Sequence, residues 1–225
     1  MEFNPDKCEI LRIYRKRNPV IFPYTLHNKQ LKSTDHSKYL GVTISNNLTW
    51  AKHINNITAK ANNTLRFIKR NVKSKNRKVK EAAYNTYVRP QLEYCSVVWH
   101  PWQKYLTDKL ELVQRSAARY VLNDYDRESS VSAMLATLGW KTLRQRRERA
   151  SLIMLYKIIH GLVGVDHHHL THTRGGNYHI PHSRTQCHQF SFFPRAIRLW
   201  NGLPAGVQSC PTVQSFSNGL DAVGW

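Results

Sequence analysis

The sequence predicts an α+β fold that is mainly helical, and three observations lead there. Short apolar runs rich in β-branched residues are confined to residues 1–48. From Trp50 to about Gly161, apolar residues recur at three- and four-residue steps. After Gly161 that period is lost, and order is expected to resume only briefly near residue 190. The expected organisation is strands over 1–48, a helical bundle over 49–163, a linker over 164–189 and an irregular C-terminal extension over 190–225.

Residues 8–14 and 39–45 read as strands, and the segments on either side of His27-Asn28-Lys29 read as a hairpin. Three or four such strands are too few for an independent sheet, so they are expected to be the edge of a larger one. An edge left unpaired invites association. The first helix is expected over 50–72, with Ser45, Asn46, Asn47 or Thr49 as candidate caps. A second should cover 75–98 and kink or break at Pro90, which removes a backbone donor and crowds the preceding turn. A third spans 106–122 with Thr107 as its cap, and a fourth 129–138 between Ser129/Ser130 and Gly139. The fifth, 140–160, opens on a basic turn (Arg144, Arg146, Arg147, Arg149) and passes into an apolar run expected to be buried. Residues 164–189 read as a loop with seven histidines: His167, His168, His169, His172, His179, His182 and His188. A short helix should follow, with Pro194 in its first turn and Gly202-Leu203-Pro204 as its stop.

Charge sets the function class. The chain carries 34 basic and 14 acidic residues, a formal charge of +20. Residues 52–90 hold eleven basic residues and one acid, Glu81. Within them Arg66, Lys69, Arg70, Lys73, Lys75, Arg77, Lys78 and Lys80 follow an apolar stripe of Ile54, Ile57, Ala61, Leu65, Ile68 and Val72. One face of such a helix can anchor in a core while the other presents positive charge to a polyanion. Neutralised phosphates release condensed counterions, which makes nucleic acid the natural partner. Solvated faces that only keep the chain soluble are the plainer reading. Anionic lipid or a calmodulin-like partner is another.

No apolar run approaches membrane-spanning length, and Met1–Lys7 offers no apolar stretch for a signal peptide. Cys8, Cys95, Cys187 and Cys210 form no CxxC pair and read as reduced thiols. The chain is therefore expected in the nucleus or cytoplasm and not secreted. Asp124 and Asp126 bring two carboxylates close, and after Asn123 at a helix end they read as turn residues. Two-metal chemistry needs converging carboxylates on rigid elements, so no catalytic residue is assigned. His168, His172, Cys187 and His188 lack the paired spacing of a zinc site, and no metal site is expected. Phe67, Tyr84, Tyr87, Trp99 and Trp102 read either as core or as stacking platforms for bases.

Several strings, in order, resemble the end of the reverse transcriptase of non-LTR retrotransposons, in the jockey-like LINE branch. They are Asn4-Pro5-Asp6-Lys7-Cys8, Tyr39-Leu40-Gly41-Val42-Thr43-Ile44, Leu48-Thr49-Trp50 and His53-Ile54. Arg89-Pro90-Gln91-Leu92-Glu93-Tyr94 with Trp99, then Gln114-Arg115-Ser116-Ala117-Ala118-Arg119, continue the series. Leu138-Gly139-Trp140 with Leu143, Arg146 and Arg147, and Leu155-Tyr156-Lys157-Ile158, come next. Pro194-Arg195 and Leu199-Trp200-Asn201-Gly202-Leu203-Pro204 close it.

The resemblance implies residual palm strands, a primer grip at Tyr39, Leu40 and Gly41, and a thumb-like helical bundle that tracks the template–primer backbone. Its candidate contacts are Lys60, Arg66, Lys69, Arg70, Lys73, Lys75, Arg77, Lys78 and Lys80, with Arg144, Arg146 and Arg147. The partners implied are RNA, DNA or an RNA–DNA hybrid, and the palm and fingers of a parent polymerase. The family's catalytic aspartates lie in a Phe/Tyr-x-Asp-Asp turn and an earlier palm strand, and no such turn occurs here. The parent would use magnesium; this chain is expected to hold no cofactor and not to polymerise DNA by itself. The other class of reading is a free-standing basic helical module that binds RNA, DNA or a protein partner.

Overall fold

In the structure, a computed structural model that describes residues 3–14, 17–168 and 170–225, all named strands precede Asn46 and the helices longer than one turn follow Trp50. The class is α+β and mainly helical. His169 of the histidine-rich stretch lies outside the described residues. The chain divides into two units, Met1–Asn56 and Ile57–Trp225.

In the first unit, β1 (Glu9–Leu11) pairs parallel with β4 (Lys32–Thr34), and Ile10 sits opposite Ser33. Strands β2 (Thr25–Leu26) and β3 (Lys29–Gln30) form the expected hairpin, but its turn is His27-Asn28 alone. Both residues have positive φ (50° and 60°), the type I′ geometry that matches strand twist. A second hairpin corrects the strand expected over 39–45. There β5 (His36–Tyr39) and β6 (Val42–Ser45) pair antiparallel around Leu40-Gly41, with φ of 46° and 87°. Gly41 enters the left-handed region without a Cβ penalty, and Leu40 is carried there with it. The described strands form three separate two-stranded ladders. In β6, Val42, Thr43 and Ser45 are buried. The Thr43 N–H donates to His53 Nδ1 at 3.2 Å, and burial lowers that imidazole's pKa to about 4.

Helix α1 (Ala51–Asn71) follows the apolar stripe closely. Of the four candidate caps, Asn47 bonds just ahead of it: its Oδ1 accepts from the Thr49 N–H at 3.0 Å and hydroxyl at 2.9 Å. The segment expected as one helix over 75–98 is α2 (Arg77–Ala83), a π-helical turn (Tyr84–Val88) and α3 (Arg89–Glu93). Pro90 does not break it. Ahead of the proline the backbone widens, and the Arg89 N–H reaches five residues back to the Tyr84 carbonyl. Helix α4 (Lys104–Leu122) starts earlier than expected, and Gln103 takes the cap position without a side-chain bond. Thr107 therefore lies inside the first turn and donates back to the Gln103 carbonyl at 3.4 Å.

Helix α5 (Val131–Leu138) is bounded as expected: Ser130 accepts from the Ala133 N–H, and Gly139 closes it at φ 64°. Helix α6 (Leu143–Ile159) begins at a capping box between Thr142 and Gln145. Its apolar half packs into a core as the sequence indicates. Leu152, Leu155 and Tyr156 meet Ala196, Ile197 and Trp200 of α8 (Phe192–Asn201), and Phe216 and Leu220 of α10 (Val213–Ala222). Helices α7 (Gln186–Gln189) and α9 (Ala205–Gln208) are single turns. The C-terminal stretch is thus helical and part of the core, not irregular. Thr212 forms a capping box with Ser215, and Val213, Phe216 and Leu220 lie at helical spacing behind it.

Candidate nucleic-acid interface

Helix α1 from Ile57 onward buries Thr58, Ala61, Leu65 and Ile68 on one side. A helix advances about 100° per residue, so the positions between them turn outward. Lys60, Arg66 and Arg70 are exposed there, and Lys73, Lys75, Arg77 and Lys78 are exposed where the chain passes into α2. Among the described residues no carboxylate pairs with Lys60, Arg66, Arg70, Lys73, Lys75 or Lys78. Arg77 donates to the Thr137 carbonyl at 2.8 Å and so ties α2 to α5. Glu81, the one acid of this stretch, accepts from Trp140 Nε1–H at 2.8 Å. The result is a run of six unpaired cations over α1, the connection and α2.

Four other candidates are occupied within the fold. Lys69 is half-buried, with its Nζ 2.9 Å from Ser116 Oγ, and desolvation lowers its pKa. Lys80 is buried, donates to the Tyr120 carbonyl at 3.3 Å and lies 4.9 Å over that residue's ring. The Tyr120 hydroxyl in turn donates to the Val72 carbonyl at 2.6 Å, fastening α4 to the end of α1. Arg146 forks onto Glu93, whose hydrogen bond holds its pKa above the usual guanidinium value. Arg144 is exposed but pairs with Glu148 one turn on, Nε to Oε1 at 2.9 Å.

Arg147 is the outlier. It is 0% exposed, and its Nε, Nη1 and Nη2 all lack an acceptor. Burial lowers its pKa to about 10, which leaves it charged at neutral pH. The basic turn of α6 therefore splits between solvent, an ion pair and the core. Spacing held the signal: Arg147 falls four residues after Leu143 and four before Ser151, both buried.

The aromatics divide likewise. Tyr84 and Trp99 are buried; Tyr84 stacks on Trp140 at 4.5 Å and its hydroxyl donates to Gln114 at 3.0 Å. Phe67, Tyr87 and Trp102 reach solvent. The primer-grip candidates form the tip of the β5–β6 hairpin, where Tyr39 is 68% and Leu40 73% exposed. Asp124 and Asp126 are turn residues: each carboxylate accepts from the backbone N–H two residues on, at 3.1 Å. His168 and His172 share no helix face, because the described part of 164–185 is not helical. Among the described residues no three His, Cys, Asp or Glu side chains come together as a metal set, and no helix is long and apolar enough to cross a membrane.

His100 supplies a pH test of the second unit. Burial, with the fields of Arg195, Arg147 and Arg144, lowers its pKa from 6.5 to about 2. The unfolded chain takes up a proton near pH 6.5 that the folded one refuses. Stability is then complete above that pH and falls with acidification, by about 1.4 kcal/mol per pH unit. His100→Gln is expected to flatten this slope in urea unfolding between about pH 5 and 7. An unchanged slope would exclude His100 as its source.

No protein-family model, curated protein or solved structure matches this chain.

Proposed function

We propose that this chain is the primer-grip and thumb-bearing C-terminal part of a non-LTR retrotransposon reverse transcriptase, and that it holds the backbone of a template–primer duplex. One observation carries the reading: Lys60, Arg66, Arg70, Lys73, Lys75 and Lys78 face solvent without acidic partners while the opposite side of α1 is core. Cations so placed contact phosphates and position a duplex without reading its sequence. The ordered family-like strings and the exposed hairpin tip at Tyr39-Leu40-Gly41 support the same reading. Nucleotidyl transfer would belong to the palm carboxylates and magnesium of the parent polymerase, and this chain contributes grip alone. A nuclear or cytoplasmic setting follows from that partner.

The test is binding to an RNA–DNA hybrid at rising salt. With six phosphate contacts, log affinity should fall against log salt with a slope of roughly −5. A flat line would remove the phosphate grip. The second reading, a free-standing basic module, is favoured by the core that Ile57–Trp225 holds within itself. Genomic sequence upstream separates the two: a frame encoding a Tyr-x-Asp-Asp turn supports the polymerase, an independent start the module.

A further inference from the structure

Two cavities in the second unit differ in how their cations are paired. In the first, about 570 Å³, every cation has a carboxylate: Glu93 pairs with Arg89 and Arg146, and Asp221 with Lys141 and Arg149. In the second, about 820 Å³, Lys104, Arg115, Arg195 and Arg198 pair with no carboxylate among the described residues. Lys104, Arg115, Arg144, Arg195 and Arg198 line it, against Asp108, Glu111 and Glu148. Two of those carboxylates are already engaged. Glu111 accepts from the Leu143 and Arg144 backbone N–H groups at 3.3 and 2.8 Å, and Glu148 holds Arg144.

Behind this wall the positive excess deepens. Arg195 is 8% exposed; its Nη1 and Nη2 donate to the Phe190 and Val97 carbonyls and the Ser151 hydroxyl, but its Nε lacks an acceptor, as do all three nitrogens of Arg147. His100, also in the lining, feels both residues together with Arg144 and stays neutral. Buried cations are ordinarily paired, because an unpaired one carries a desolvation penalty of several kcal/mol. An anion in the cavity would offset that penalty. The remaining wall is aromatic: Trp102, 39% exposed, stacks on Phe190 at 5.2 Å with 14° between the planes. The volume lies within the roughly 300–1,000 Å³ of small-molecule sites. Cations beside an aromatic stack match an anionic group carried on a planar ring.

We propose that this cavity binds a nucleoside monophosphate, with its phosphate against Arg115, Arg144 and Arg198 and its base against the Trp102–Phe190 stack. The nucleotide is either free or the terminal one of a strand. The inference does not depend on the duplex grip, since none of the exposed cations of α1 or α2 lines the cavity.

Calorimetric titration of the full chain with AMP, adenosine and inorganic phosphate tests it. AMP should saturate and bind at least about tenfold tighter than either fragment. Arg115→Ala with Arg198→Ala, both surface positions, should weaken AMP at least about tenfold and leave the circular dichroism spectrum unchanged. Trp102→Leu should weaken AMP but not phosphate. A 5′-phosphorylated oligonucleotide that displaces AMP identifies a strand end as the source; one that does not identifies the free nucleotide. AMP no tighter than phosphate or adenosine, or indifferent to the arginine pair, would overturn the site. Loss of AMP binding alongside intact hybrid binding would overturn this inference alone.

Discussion

Replacing Lys60, Arg66, Arg70 and Lys73 together by glutamine is expected to weaken RNA–DNA hybrid binding by roughly 10³–10⁴-fold at about 0.1 M salt. Each phosphate contact contributes about 0.9 to the log–log salt slope, so four lost contacts should reduce it by about 3.6. All four side chains face solvent, so thermal melting should move little. The loss should also be uniform across hybrid sequences, because backbone contacts position without specifying. Fluorescence anisotropy over a salt series measures both quantities. A loss confined to one sequence, or a slope left intact, would show that this surface does not hold phosphates. Lys80→Gln is the informative control: its charge sits under Tyr120, so it should lower the melting point and leave the slope unchanged.

Arg147→Met is expected to stabilise the ligand-free chain by about 1–4 kcal/mol. The guanidinium is fully buried and its three nitrogens lack acceptors, so the native state bears most of its desolvation cost. Glu111, Glu148 and Glu93 pull its pKa upward from a distance, yet desolvation outweighs them. Methionine has no donors, is unbranched and flexible, and fills the space of the arginine stem. For a unit of this size, each kcal/mol moves the melting point by roughly 2–4 °C. Calorimetry would register the rise. A fall of more than about 1 kcal/mol would mean that the surrounding carboxylates already compensate the charge.

What the sequence disclosed depended on whether a feature was local. Helix α5 was readable because its cap, Ser130, and its stop, Gly139, act within a turn of the backbone they satisfy. The turn at Leu40-Gly41 escaped because leucine is a poor choice for positive φ, and a run of β-branched neighbours disguised the bend. Helix α10 escaped although its Thr212 box and apolar spacing were present, because short C-terminal helices carry few periods. The basic surface was legible as composition but not as position. Lys80 and Arg147 look like Lys78 and Arg144 until their places on buried stripes are counted. The second cavity was invisible to any reading along the chain, since its walls come from α4, α5, α6, α8 and the connecting residues 100–102, Thr142 and Phe190.

The π-helical turn at Tyr84–Val88 has a consequence for helical phase. Lys80, Tyr84, Val88 and Leu92 are all buried, a repeat of four residues. In an α-helix each step of four overshoots a full turn by about 40°, so three steps would carry Leu92 about 120° away from Lys80. A wider turn in the middle takes back part of that rotation and holds the four side chains on one side. The odd turn is thus a phase corrector written into a tetrad. Cutting one residue from it would swing Leu92 and Glu93 by about 100° around the axis and take Glu93 away from Arg146 of α6.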